Sequence, residues 1–137
     1  MHTNPTRSQP VKPHWVLIVD DEESMCGMLR DMLTDEPVEV VTAHDGAEAL
    51  RVVDQRKSEP LLVLTDVLMP GIDGLTLARK LTGKIRRGKI VVMSGHLTDV
   101  SWWPADLREL AFIAKPFRMA DLTGFLREAR LQYDSVS

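Results

Sequence analysis

Apolar and polar positions follow one another along this chain in two rhythms. Short, mostly apolar runs, WVLIV at 15–19, VEVVTA at 38–43, LLVLT at 61–65, KIVVMS at 89–94 and AFIA at 111–114, predict strands. Between them, apolar residues recur every three or four positions: ESMCGMLRDML at 23–33, GAEALRVVDQRK at 46–57, GLTLARKL at 74–81 and MADLTGFLREARLQY at 119–133. That spacing predicts amphipathic helices, and a less regular stretch at 97–110 stands where a fifth would complete the alternation. Runs that are apolar at successive positions are buried on both faces. Five of them alternating with five helices predict an α/β fold with a parallel sheet covered on both sides. In the first helix Met25, Met28, Leu29, Met32 and Leu33 fall on one stripe, which is expected to pack in the core rather than to form a partner groove.

Composition narrows the picture without changing it. A chain of 137 residues with 44% hydrophobic content suits one domain with its own core. Pro5, Pro10 and Pro13 mark residues 1–13 as a flexible arm, leaving a folded domain over 14–132 and a tail at 133–137. The net charge of -3 argues against a nucleic-acid partner, and the local basic excess of Arg79, Lys80, Lys84, Arg86, Arg87 and Lys89 reads as a solvated face. The single cysteine, Cys26, suits a reducing compartment and reads as an inert thiol inside a helix. No apolar run reaches membrane-spanning length and the polar start is unlike a signal sequence, so no membrane partner and a cytoplasmic location are expected.

In a doubly wound sheet, ligands gather at the carboxyl ends of the strands. Strand 1 delivers Asp20-Asp21-Glu22 there, strand 3 Asp66, strand 4 Ser94-Gly95 and strand 5 Lys115-Pro116. The runs VLIVDDE, LTDVLMPGIDG, VVMSGH and FIAKPF, in this order and spacing over residues 15 to 132, resemble the receiver domain of two-component response regulators, of the chemotaxis and hybrid-kinase kinds. The resemblance implies a flavodoxin-like, three-layer fold with five parallel strands in the order 2-1-3-4-5. It also implies a phospho-acceptor rather than an enzyme, with Asp66 phosphorylated by a histidine kinase or histidine phosphotransfer protein. Asp21, Asp66 and the backbone carbonyl of Leu68 would then be direct Mg²⁺ ligands, with Asp20 acting mainly through water. Lys115 would contact Asp66 or a phosphoryl oxygen. Ser94 and Phe112 would form the switch, although phenylalanine stands where tyrosine is commoner.

The residue chemistry agrees with that assignment. Carboxylates crowded by neighbouring strands 1 and 3 disfavour one another's ionised form, so a positive charge belongs among them. Mg²⁺, a hard ion that keeps several waters, suits a site of one or two carboxylates. Two other readings compete. A metal-dependent aspartyl-phosphate phosphatase would place a second aspartate two residues beyond the nucleophile, where this chain has Leu68. A nucleotide module would need glycines in the first strand-to-helix loop, where this chain has DDEESM. Trp102-Trp103-Pro104 follows the Ser94 segment. Adjacent helical residues point about 100° apart, so at least one indole is expected to be partly exposed, as an output surface for a partner or a phosphorylation-dependent homodimer.

Overall fold

The chain runs β1 (His14–Val19), α1 (Glu23–Met32), β2 (Val38–Ala43), α2 (Gly46–Gln55), β3 (Leu62–Asp66), α3 (Gly74–Thr82), β4 (Lys89–Ser94), β5 (Ala111–Ala114) and α4 (Met119–Ser135). This is a computed structural model and describes residues 14–67, 71, 73–94 and 110–135. All strand pairings are parallel, and the sheet order is β2-β1-β3-β4-β5. The flavodoxin-like order expected from the sequence is the one observed.

The apolar runs divide cleanly between two cores. Val16 and Ile18 of β1, Leu62 and Leu64 of β3, and Val91 and Met93 of β4 pack with Leu29 of α1 and Leu122, Leu126 and Ala129 of α4. Their neighbours Leu17, Val19, Val63, Ile90 and Val92 point the other way, onto Ala49 of α2 and Leu77, Ala78 and Leu81 of α3. Successive side chains on a strand face opposite sides, so a sheet roofed on both faces needs apolar residues at every position.

Two expectations are refined. The α1 stripe is narrower than its sequence spacing suggested: Cys26, Leu29 and Leu33 are buried, but Met28 is 44% exposed and Met25 and Met32 pack only partly against the core. The buried line runs through Cys26 and Leu29, and the methionines flank it. At the other end, residues 133–135 continue α4, and Tyr133 is buried there. The Tyr133 hydroxyl donates to the Glu59 carbonyl at 3.2 Å, while the Arg87 guanidinium stacks 4.1 Å from the Tyr133 ring and donates to its carbonyl. The fifth expected helix, with Trp102 and Trp103, lies outside the described residues.

The basic cluster does not form one bare face. Lys84 pairs with Asp54 at 2.9 Å, Lys89 reaches Glu128 at 3.8 Å, and Arg87 is held by Tyr133.

Strand register brings the chemistry-bearing ends together. Val19 is level with Thr65, Asp66 with Met93, and Ser94 with Ala114. The chain leaves β1 toward β2 and returns on the other side as β3, so the strand order reverses between β1 and β3, beside Asp20 and Asp66.

Candidate functional site

Asp20 is the first residue beyond β1, and the sheet still holds it: its N–H donates to the Ala43 carbonyl at 3.1 Å. Its side chain is fully buried, with Oδ1 accepting the Glu22 N–H at 2.9 Å and Oδ2 lying 3.4 Å from Lys115 Nζ. Burial raises the Asp20 pKa above the usual carboxylate value, against the lowering effects of the Glu22 N–H and the Lys115 charge. Asp21, one residue on, is exposed.

Asp66 closes β3 with only 9% exposure. The next residue extends the ladder, as Val67 N–H donates to the Met93 carbonyl at 3.1 Å. Beyond it Gly71 takes φ 77°, a left-handed conformation that glycine adopts without strain, and turns the chain toward α3.

Lys115 follows β5. Its N–H donates to the Ser94 carbonyl at 2.8 Å, and its Nζ lies 3.4 Å from Asp66 Oδ2 as well as from Asp20 Oδ2. The Lys115–Pro116 peptide is cis. Ser94 is 4% exposed at the end of β4. Phe112, one strand over, is half-buried against the core cluster on the α2/α3 side of the sheet.

Carboxylate oxygens of Asp20, Asp21 and Asp66 lie within 4.8 Å of one another. Among the described residues one ammonium stands among three carboxylates, so these groups carry up to two negative charges in excess. The donor set fits a hard divalent cation: it is all oxygen, one member is open to solvent, and an octahedral Mg²⁺ places its ligand oxygens roughly 3 to 4 Å apart. Both Asp20 oxygens have partners within the protein, whereas Asp66 turns its Oδ2 to Lys115 and Asp21 is open to solvent, so Asp21 and Asp66 are the carboxylates best placed to hold the ion directly.

Of the residues expected from the sequence, Asp20, Asp21, Asp66 and Lys115 come together, with Ser94 tied to Lys115 through its carbonyl. Leu68, Trp102 and Trp103 lie outside the described residues. Sequence reading named Cys26 as an inert thiol but missed its contact: the buried thiol donates to the Asp20 carbonyl at 3.5 Å. Its thiol pKa is pushed up by burial first and by the Asp20 charge second. Nothing in a helical pattern signals that contact, which depends on the turn between β1 and α1.

The family model described as "Response regulator receiver domain" matches residues 16–127. The transcriptional regulatory protein PdtaR of Mycobacterium tuberculosis is 34% identical over 122 residues, covering 88% of this chain and 58% of that protein. A protein-glutamate methylesterase/protein-glutamine glutaminase of Koribacter versatilis is 34% identical over 124 residues, covering 85% of this chain and 32% of that protein. The chain thus spans about half, or less, of the length of these two relatives. Among solved structures, the response regulator TrrA of Thermotoga maritima, determined in complex with Mg²⁺ and BeF, is 30% identical with a TM-score of 0.69 over 85% of this chain and 98% of its own. A receiver domain from Clostridium thermocellum has a TM-score of 0.80 over 90% of this chain and 99% of its own, and at 23% identity it shows the fold alone.

Proposed function

The chain belongs to the response regulator receiver family, and from that premise we propose that Asp66 is its phospho-acceptor and that Asp21 and Asp66 hold Mg²⁺ beside it. The observation that carries this reading is the position of Lys115 Nζ, 3.4 Å from both Asp20 and Asp66, in a cluster of three carboxylates of which Asp21 is open to solvent. The donor is a phosphohistidine on a kinase or phosphotransfer protein. An Asp66 oxygen attacks phosphorus, the new O–P bond forms as the N–P bond breaks, and the imidazole leaves with that electron pair and takes up a proton. Such transfers depend mostly on positioning and charge neutralisation. Asp66 is positioned by the central strand, and the Lys115 ammonium meets the phosphoryl oxygens as their charge moves onto Asp66. Bound Mg²⁺ supplies further neutralisation of the same oxygens and of the acidic cluster. Asp20 holds Lys115 in place, and the backbone carbonyl of Leu68 would complete the protein side of the metal site, as the family resemblance implies.

The Ser94 hydroxyl and the Phe112 ring relay the phosphorylated state to a partner surface that includes Trp102 and Trp103, through which phosphorylation also pairs two copies of the chain. A cytoplasmic setting follows from a phosphohistidine donor. The relatives' names differ, a transcriptional regulator in one and a methylesterase in the other, and the receiver is what the matched regions have in common with this chain.

The test is incubation with Mg²⁺ and a small acyl phosphate, followed by intact mass. One added phosphoryl group, abolished by Asp66→Asn and by chelation, is expected. Steady turnover of the donor in place of stoichiometric labelling would favour the phosphatase instead.

A further inference from the structure

We infer that Gly74 is a positioning residue for Asp66, because the first turn of α3 rests directly on the Asp66–Val67 peptide and leaves no room for a side chain. The inference deepens the proposed acceptor role and rests on it.

Asp73-Gly74, at the start of α3, lies against the end of β3. The Gly74 N–H donates to the Val67 carbonyl at 2.8 Å. A Cβ on Gly74 would lie 2.7 Å from the Asp66 carbonyl carbon and 2.8 Å from Val67 Cα, and would overlap the Asp66 carbonyl oxygen. All three neighbours are backbone atoms, so none can swing aside as the tip of a side chain could. Either α3 or the Asp66–Val67 peptide has to move.

The packing decides which. Leu77, Ala78 and Leu81 anchor α3 with no exposed surface, and Asp73 caps it by accepting the Thr76 N–H at 2.8 Å. The Asp66–Val67 peptide ends the β3 ladder, tied to β4 there by the Val67 N–H to the Met93 carbonyl. Displacement therefore falls on that peptide and carries the Asp66 side chain away from Lys115 and Asp21. Phosphoryl transfer is sensitive to such shifts, since about 1 Å of misplacement costs on the order of a hundredfold in rate.

Gly88 provides a matched control at the opposite end of the sheet. A Cβ there would overlap the Pro60 carbonyl oxygen and lie 3.0 Å from Ile85 Cγ2. The experiment uses the full chain carrying Gly27→Ala and Gly124→Ala, two helical positions where a Cβ meets nothing within 4 Å and helix propensity rises. Into this background go Gly74→Ala or Gly88→Ala, and each variant is labelled with a small acyl phosphate and Mg²⁺ well below its melting temperature. The Gly74 variant is expected to label roughly a hundredfold more slowly and the Gly88 variant within about threefold of the background. In parallel, the Asp66 carboxyl ¹³C resonance should shift in the Gly74 variant only. That resonance reports the contact with Lys115 whether or not Asp66 accepts phosphoryl. A background chain that never labels would sink the acceptor reading, and the resonance would then decide the role of Gly74. An unmoved resonance, equal slowing in both variants, or a Gly74 variant that does not fold even here would overturn the inference.

Discussion

The Lys115 ammonium stands 3.4 Å from the Asp66 carboxylate and an equal 3.4 Å from Asp20, so one positive charge is shared by two buried or nearly buried acids. Removing it leaves three carboxylates facing one another. Lys115→Ala is therefore expected to raise Mg²⁺ affinity severalfold while slowing phosphoryl uptake at least tenfold, because attraction for the ion and compensation of the phosphoryl charge are separate effects. Mg²⁺ titration by calorimetry and labelling rates at saturating Mg²⁺ check the two halves. Equal losses in both would argue that the lysine only supports the fold.

Asp20 bears on stability without metal. Its folded pKa is raised, chiefly by burial, above its value in the unfolded chain. The folded state therefore holds its proton more tightly, and stability falls as pH rises from the unfolded pKa through the folded one. Asp20→Asn keeps an acceptor for the Glu22 N–H and removes the charge. In the absence of divalent metal it should raise Tm by at least about 3 °C at neutral pH, the scale of roughly 1 kcal/mol in a domain of this size. Saturating Mg²⁺ should shrink the difference. Thermal melts with and without chelator, across pH, test both statements.

The clasp between Arg87, Tyr133 and Glu59 lies at the end of the sheet away from Asp66. Tyr133→Phe removes one hydrogen bond to the Glu59 carbonyl and should cost about 1 kcal/mol. Arg87→Ala also loses the stacking on Tyr133 and two bonds to its carbonyl, and should cost about 2 to 3 kcal/mol. Urea melts give these values, and labelling of Asp66 in the folded protein should stay unchanged in both variants.

Cys26 should be nearly unreactive. It is buried, its thiol pKa is raised, and its Sγ faces the Asp20 carbonyl at 3.5 Å. Alkylation by iodoacetamide should proceed at the rate at which the fold opens, and Mg²⁺ should slow it by stabilising the closed state. Rapid alkylation independent of Mg²⁺ would contradict the packing under Asp20.

Trp15 offers a silent reference for the proposed output surface. It is 2% exposed, donates to the Ser58 carbonyl at 3.1 Å and lies under the Arg56 guanidinium at 4.4 Å. In single-tryptophan variants, a phosphoryl mimic at Asp66 should change the emission of Trp102 or Trp103 and leave that of Trp15 fixed. Identical spectra in all three variants would remove the case for that surface.

Much of this was legible in the sequence because it is local. Continuous apolar runs mean strands covered on both faces, the helical spacing marks the elements between them, and each polar residue that ends a run had to lie at a carboxyl edge. The order 2-1-3-4-5 came from the resemblance carried by four motifs, and strand pairing bears it out. The rest depends on contacts between residues distant in the chain. No pattern in 23–33 could say that Met28 would be left largely exposed while Leu29 was buried, because the width of the buried stripe is set by how closely α1 lies on the sheet. Nor could it say that both oxygens of Asp20 would be engaged within the protein, one by the Glu22 N–H and the other by Lys115. Tyr133, the last residue of the helical pattern and the first of the expected tail, became an anchor only because Arg87 and Glu59 fold up beside it. Gly74 looked like an ordinary helix start. Its demand for empty space arises from the return of α3 onto Asp66, and that approach exists only once β3 and α3 have packed.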